Sequence, residues 1–204
     1  MNENWPLRKL SELFFVETGT TPSTKEKKYW VDGRTNWVTP TDLSKIGSQI
    51  EIFDSDRRVT EIAVKECNLT LLPRGSIILS TRAPVGYVAV LRKEATLNQG
   101  CKALVPREEM EVSSEFYAYY LVAAKSKLQS LSGGSTFKEL SKPALSNLEV
   151  PHPSLNEQRK IAQIMSTVDR AVQKTEHAVV INARVRTALL KDLTSGKVRH
   201  PEFA

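Results

Sequence analysis

Ser154-Leu155-Asn156-Glu157-Gln158-Arg159-Lys160-Ile161 opens the stretch that decides the fold of this 204-residue chain. Ser154 and Glu157 form a capping box: the hydroxyl accepts an orphan backbone N–H, and the glutamate reaches back to the cap. From there Ile161, Met165, Val168, Val172, Thr175, Val179, Asn182, Arg186, Leu189 and Leu193 alternate steps of four and three without a break. That 3.5-residue period is the seam of a coiled coil. Ser195-Gly196 closes the helix, with Pro201 beyond. Roughly forty residues at 1.5 Å each give a rod of about 60 Å. A rod of that length cannot bury its seam on so small a domain, so it predicts a partner helix. The chain reads as a head, residues 1–153, on a stalk, residues 154–204.

Composition agrees with one ordinary core plus an appendage, at 40% apolar residues. No apolar run reaches the length of a membrane span, and the polar, acidic start (Met1-Asn2-Glu3-Asn4-Trp5) is unlike a signal peptide, so a cytoplasmic protein is expected. Cys67 and Cys101 are far apart and read as reduced thiols. His152, His177 and His200 lack metal-ligand spacing, so no metal site is expected. The net charge of +6 is uneven: 20 basic against 18 acidic residues in 1–153, and 9 against 5 in 154–204. A head so near neutrality binds nucleic acid only through a local basic surface.

The head reads as α+β. Leu7, Leu10, Leu13 and Phe14 are spaced as a short amphipathic turn or helix within 5–15. Gly19 to Lys28 is a polar, basic loop. Strands are predicted at 37–39, 49–53, 69–72, 76–81, 86–91, 101–105 and 147–150, with Pro73-Arg74-Gly75 as a turn. Thr60 caps a short helix to Cys67. Ser113 or Ser114 caps another, whose Tyr117, Tyr120, Leu121, Ala124, Leu128 and Leu131 share one face. After Ser132-Gly133-Gly134-Ser135, a capping box at Thr136-Phe137-Lys138-Glu139 starts a further short helix, and Pro151-His152-Pro153 is a stiff hinge into the stalk.

Catalytic signatures are missing. The chain has neither the glycine-rich turn nor the Asn/Asp-Pro-Pro-aromatic segment a base-flipping methyltransferase needs, and no phosphate-cradling G-x-x-x-x-G-K-[ST]. Glu26-Lys27-Lys28 is the only Glu-x-Lys string, and no apolar strand leads into the loop that holds it, so a metal-dependent nuclease is not indicated. The head is expected to be non-catalytic and to need no cofactor.

Several segments, taken in order, carry a resemblance. They are Trp5-Pro6-Leu7-Arg8-Lys9-Leu10, Gly19-Thr20-Thr21-Pro22 and Trp37-Val38-Thr39-Pro40-Thr41-Asp42-Leu43. Then come Leu72-Pro73-Arg74-Gly75-Ser76-Ile77-Ile78-Leu79-Ser80-Thr81-Arg82-Ala83-Pro84-Val85-Gly86, Asn98-Gln99-Gly100 and Gly133-Gly134-Ser135-Thr136. Pro151-His152-Pro153-Ser154-Leu155 and Glu157-Gln158-Arg159-Lys160-Ile161 lead into the long helix. In this joint order the chain resembles the specificity subunits of type I restriction-modification systems. The resemblance implies a target recognition domain that reads one half of a split sequence on double-stranded DNA. It also implies a helix that acts as spacer and as dock for methyltransferase subunits, which work with restriction subunits. Family members usually hold two such domains and two helices, paired as an antiparallel coiled coil. This chain has one of each and is expected to be a half-length subunit.

Base and phosphate contacts need donors, acceptors and cations on loops. Thr20, Thr21, Lys25, Lys27 and Lys28 offer these in one loop. Thr81 and Arg82 follow a strand, Gln99 and Lys102 flank a glycine, and Thr136 and Lys138 start a helix whose free N–H groups suit a phosphate. Each also has a plainer reading, as a turn residue, a cap or a solvated cation. A homodimer through Ile161, Met165, Val168, Val172, Thr175, Val179, Asn182, Leu189 and Leu193 is expected, with antiparallel helices and a palindromic, interrupted target. The rival readings are an interaction protein in which the coiled coil only joins subunits, and an enzyme whose site assembles from scattered polar residues.

Overall fold

The computed structural model describes residues 5–82, 84–133, 139–199 and 202. Leu7–Lys9 forms β1, and one helical turn, α1 (Leu10–Leu13), leads straight into β2 (Phe14–Thr18). The expected turn or helix within 5–15 is thus present as the single turn Leu10–Leu13, flanked by strands on both sides. Leu7 to Lys9 pair with a strand at the far end of the head, a partner that local periodicity cannot reveal. A 3-10 turn over Lys27–Tyr29 interrupts the basic loop before β3 (Thr35–Val38). In α2 (Pro40–Ser44), Thr39 Oγ1 accepts from the Asp42 N–H at 3.2 Å while Asp42 accepts from the Thr39 N–H at 2.8 Å, a closed capping box with proline in the first turn.

The strands β4 (Glu51–Ile52) and β5 (Arg58–Val59) are short, and α3 (Glu61–Glu66) is capped by Thr60 as expected. Then follow β6 (Ile77–Ser80), β7 (Val88–Leu91), β8 (Ala95–Leu97) and β9 (Cys101–Pro106). Residues 69–72 are not a strand: only Leu72 makes an isolated bridge, to Ala95. The helix capped by Ser113 is broken at Ala124 into α4 (Ser114–Ala123) and α5 (Lys125–Ser130). Tyr117, Leu121 and Leu128 are buried as the shared face requires, but Leu131, the C-cap of α5, is exposed. The last elements are α6 (Lys142–Ser146), β10 (Glu149–Pro151) and α7 (Leu155–Thr194). Of the second capping box, Thr136, Phe137 and Lys138 lie outside the described residues, as do His200 and Pro201, while Glu139 is described and forms isolated bridges with Arg82 and Gly133.

A five-stranded sheet, ordered β2-β9-β6-β7-β4, is antiparallel except for the β7/β4 pair. Successive side chains point to opposite faces. Ile77, Leu79, Val88, Val90 and Leu104 therefore join one core, under α1, α4, α5 and α6, while Ile78, Ala89, Leu91, Cys101 and Ala103 join another with Val38, Leu43 and Leu97. Burial on both faces explains why these strands read as unbroken apolar runs rather than alternating ones. A smaller sheet, β5-β3-β8, backs a third cluster of Trp37, Val59, Ala63 and Leu69.

The chain forms two compact units, Met1–Gln163 and Ile164–Ala204. Within the first, β1 pairs with β10 just ahead of α7, and the His152 N–H donates to Pro6 O at 2.8 Å. Gln158 is fully buried: its Oε1 accepts from the Ser113 N–H at 2.8 Å, and its Nε2 donates to Pro153 O at 2.8 Å and Glu111 O at 3.2 Å. Ser154 Oγ accepts from the Glu157 N–H at 3.4 Å, the hydroxyl half of the expected cap. In the second unit no described residue of α7 is buried. The helix ends at Thr194, with Gly196 at φ +72 supplying the left-handed turn.

Candidate nucleic-acid interface

Three chain segments meet at Asn98-Gln99-Gly100, the turn between β8 and β9. Asn98 organises them. Its Oδ1 accepts from the Gly100 N–H at 2.7 Å, which closes an Asx turn. Its Nδ2 donates to Thr21 Oγ1 at 3.0 Å, and its backbone N–H donates to Val38 O at 2.8 Å. From the first segment, Gly19 N–H reaches Cys101 O at 3.2 Å and Thr20 N–H reaches Leu97 O at 2.9 Å. Gly19 is required here by close approach: a Cβ would fall inside the Asn98 carbonyl. From the third, Thr81 N–H donates to Gly100 O at 2.8 Å.

Thr20, Gln99 and Arg82 are exposed on this junction and Thr21 is half-buried. Gln99 has no hydrogen-bond partner among the described residues, so its amide donor and acceptor are both free. Thr81 and Lys102 belong to the same junction but are buried. Lys102 lies on β9, and its Nζ sits 3.3 Å from Thr81 Oγ1 and 3.4 Å from Glu139 Oε1. The other carboxylate oxygen of Glu139 accepts from Arg82 Nε at 3.0 Å. Partial burial pushes the Glu139 carboxyl up, but Arg82 and Lys102 together hold it below its ordinary value. Of the sequence candidates, Thr20, Thr21, Thr81, Arg82, Gln99 and Lys102 are brought together.

Lys25, Lys27 and Lys28 are placed elsewhere, around the 3-10 turn that packs near α3. All three are exposed. Lys28 is engaged by Glu66 at 2.6 Å, and that hydrogen bond raises its pKa. Tyr29 Oη donates to the same carboxylate at 2.9 Å. Lys25 and Lys27 have no side-chain partner among the described residues. Trp37 Nε1 donates to Thr20 O at 3.0 Å, so the loop is tied from both ends to the junction.

Sequence reasoning missed three residues. Asn98 carries only an Asx-turn signal in the sequence. Glu139 reads as a helix-capping residue, and only the fold gives it two cations. Arg57 lies with its guanidinium carbon 3.7 Å from the Trp30 ring centre and 5.1 Å from that of Trp37, and its nitrogens have no partner among the described residues. Nothing in the sequence around Arg57 announces that stack.

The Cys101 thiol is no nucleophile at this junction. Burial pushes the Cys101 thiol up to about 12, so it is un-ionised at neutral pH. Among the described residues no group of His, Cys, Asp and Glu is arranged to hold a metal ion, and no helix is long and apolar enough to cross a membrane. What the junction presents is exposed amide, hydroxyl and guanidinium groups on a rigid backbone, which suits recognition by hydrogen bonding.

Residues 2–182 match the family model described as the type I restriction modification DNA specificity domain. The chain is 40% identical over 193 residues to the type I restriction enzyme MjaIX specificity subunit of Methanocaldococcus jannaschii, covering 93% of this chain and 44% of that relative. It is 30% identical over 159 residues to the EcoR124I/EcoR124II specificity subunit of Escherichia coli, covering 74% of this chain and 37% of the relative. Among solved structures, one described as showing complex assembly and conformational transition of the type I R-M system superposes with a TM-score of 0.72 at 23% identity, over 94% of this chain and 46% of that one. The HsdS subunit from Thermoanaerobacter tengcongensis superposes with a TM-score of 0.67 at 21% identity, over 94% of this chain and 45% of that one. The chain thus spans less than half the length of the curated relatives it matches. On the family match, the 40% identity and the shared fold, this chain belongs to the type I restriction-modification DNA specificity family.

Proposed function

We propose that this chain is the DNA sequence-specificity component of a cytoplasmic type I restriction-modification complex, itself non-catalytic. The head reads one half-site, and α7 joins two copies and docks methyltransferase and restriction subunits. The observation that carries this reading is the junction at Asn98–Gly100, where exposed Thr20, Gln99 and Arg82 stand on a backbone fixed by hydrogen bonds from three segments. A free amide such as that of Gln99 pairs with adenine in the major groove, and an arginine fork pairs with guanine.

The helix supports the second half of the proposal. Ile164, Val168, Val179 and Leu189 are all about half exposed or more in the single chain, and soluble proteins seldom leave such a stripe uncovered. Thr175 Oγ1 bonds back to Ala171 O at 3.0 Å, which leaves its methyl group to face a partner. A second copy is the simplest partner, and a closed two-fold dimer the commonest arrangement. Antiparallel helices would set the heads on two half-sites separated by near-whole DNA turns, and the target would be palindromic with an unread spacer.

The test is reconstitution with methyltransferase subunits, followed by duplex binding across a salt series and sequencing of methylated sites in cells carrying the full gene set. Steeply salt-dependent, sequence-selective binding and a two-fold symmetric methylated site are expected. Methyl transfer from S-adenosylmethionine by the purified chain alone would overturn the non-catalytic assignment, and absence of duplex binding would favour a joining role without DNA.

A further inference from the structure

Lys102 is the only buried basic side chain among the described residues, and a buried ammonium persists only where a counter-charge meets it. Glu139 supplies that charge from a backbone position bridged to Arg82, just beyond β6. Its backbone is stapled there: Glu139 N–H donates to Gly133 O at 3.1 Å, Leu140 N–H donates to Thr81 O at 2.9 Å, and Glu139 forms an isolated antiparallel bridge with Arg82. The carboxylate then divides its two oxygens. One faces Lys102 in the interior at 3.4 Å, and the other accepts from Arg82 Nε at 3.0 Å at the surface.

Arg82 is therefore held by the root of its guanidinium. Its terminal nitrogens have no partner among the described residues, and its side chain is 47% exposed beside the Asn98–Gly100 turn. A long side chain otherwise loses much rotamer freedom when it binds. Here Glu139 fixes the plane of the fork in advance, and Lys102 fixes Glu139. We infer that Lys102 and Glu139 are positioning residues which orient Arg82 toward DNA, so that recognition depends on two side chains that do not themselves reach the duplex. The inference rests on the DNA-reading role proposed above and adds the residue that reads and the pair that aims it.

The experiment uses the chain assembled with methyltransferase subunits and duplexes carrying its methylated site or a scrambled one. Glu139→Gln keeps the shape and an acceptor but removes the charge. It should lower affinity for the methylated site by about 10- to 100-fold, the worth of one bidentate arginine contact, and lower affinity for scrambled duplex much less. In an Arg82→Ala background the same change should cost less than about threefold, because the residue being aimed is gone. A merely structural Glu139 would give additive losses instead. Stability is controlled by Lys102→Met with Glu139→Leu, which replaces the buried ammonium and its partly exposed counter-charge by apolar groups and should fold with a midpoint near that of the parent. This double variant should nonetheless share the affinity loss of Glu139→Gln. Additive effects of the Glu139 and Arg82 changes, or parental binding by the folded double variant, would overturn the relay. If the unsubstituted assembly prefers no duplex, the DNA-reading role falls and the relay with it.

Discussion

Replacing Gln158 by leucine should destabilise the head by about 3 kcal/mol, although the residue lies on the long helix. Leucine keeps most of the volume but removes both amide atoms. The buried Ser113 N–H then loses its acceptor, a cost of about 1–3 kcal/mol for an unsatisfied buried donor, and the Glu111 and Pro153 carbonyls each lose a bond worth about 0.5–1.5 kcal/mol. Trp5, Trp30 and Trp37 all lie in the first unit, so tryptophan fluorescence during urea unfolding reports that unit. With a slope near 2 kcal/mol/M, the midpoint should fall by roughly 1.5 M at unchanged slope, and Tm by about 6–12 °C. Protomer concentration must be held fixed, since self-association would add its own stabilisation. Gln158→Glu should also destabilise, because a carboxylate accepts from Ser113 but presents no donor to the two carbonyls. Lys174→Ala, on an exposed position of the same helix, should leave the midpoint where it is. A loss below about 1 kcal/mol for Gln158→Leu would refute the three-bond accounting.

Val172→Asp with Val179→Asp should convert the proposed dimer to monomers in sedimentation, weakening association by about 10³-fold or more through lost apolar burial and two added charges per helix. Wild-type chain that sediments as a monomer at micromolar concentration would remove the pairing. Lys27→Ala with Lys28→Ala should weaken binding to all duplexes alike and lower the log–log salt slope by about 1–2, whereas Gln99→Ala should change which duplexes are preferred. Unchanged affinity and unchanged methylation sites in both variants would take these positions out of the interface. His152 has its pKa lowered, first by burial and then by Arg8, with Glu111 opposing, and Tyr117 Oη lies 2.7 Å from its Nδ1. A lowered value favours the neutral ring in the folded state. Stability from this site is therefore present above about pH 6.5 and lost as pH falls through the folded value. His152→Gln should flatten the stability profile in that window, and an NMR titration placing the His152 pKa at or above 6.5 would contradict it.

The parts of the fold that were legible are those whose cause is local. The four–three alternation from Ile161 to Leu193 is a property of one helix and needs no partner to be seen. The same holds for the Thr60 cap and for the strands at 77–80, 88–91 and 101–106, whose β-branched and apolar runs announce themselves. The spacing of Leu10, Leu13 and Phe14 marked buried positions and one helical turn, but it misplaced exposed Leu7, whose strand exists only by pairing with Glu149–Pro151. Lys102 looked like a surface cation because a strand buried on both faces carries no alternation to mark its interior. The junction was half visible. Thr20, Thr21, Gln99 and Arg82 could be named as polar loop residues, but their convergence depends on Asn98 reaching Thr21 across the fold, and the charges of Glu139 and Lys102 find each other only once the sheet is built.

The Asn98–Gly100 turn has a consequence for how such a protein diversifies. Its geometry is written in main-chain hydrogen bonds, in the two side-chain bonds of Asn98 and in the absence of a side chain at Gly19, while Gln99 has no hydrogen-bond partner among the described residues. Exchange of an exposed, unpartnered residue usually changes stability by no more than about 0.5 kcal/mol. A lineage could therefore drift through many residues at position 99 without an intermediate that fails to fold, and, on the proposed DNA-reading role, each step would offer DNA a different set of donors and acceptors. Gly19 and Asn98 have no such freedom, since change at either disturbs the frame that makes drift at 99 harmless. Selection for new targets would leave its mark as variability confined to one projecting residue, framed by neighbours that stay the same.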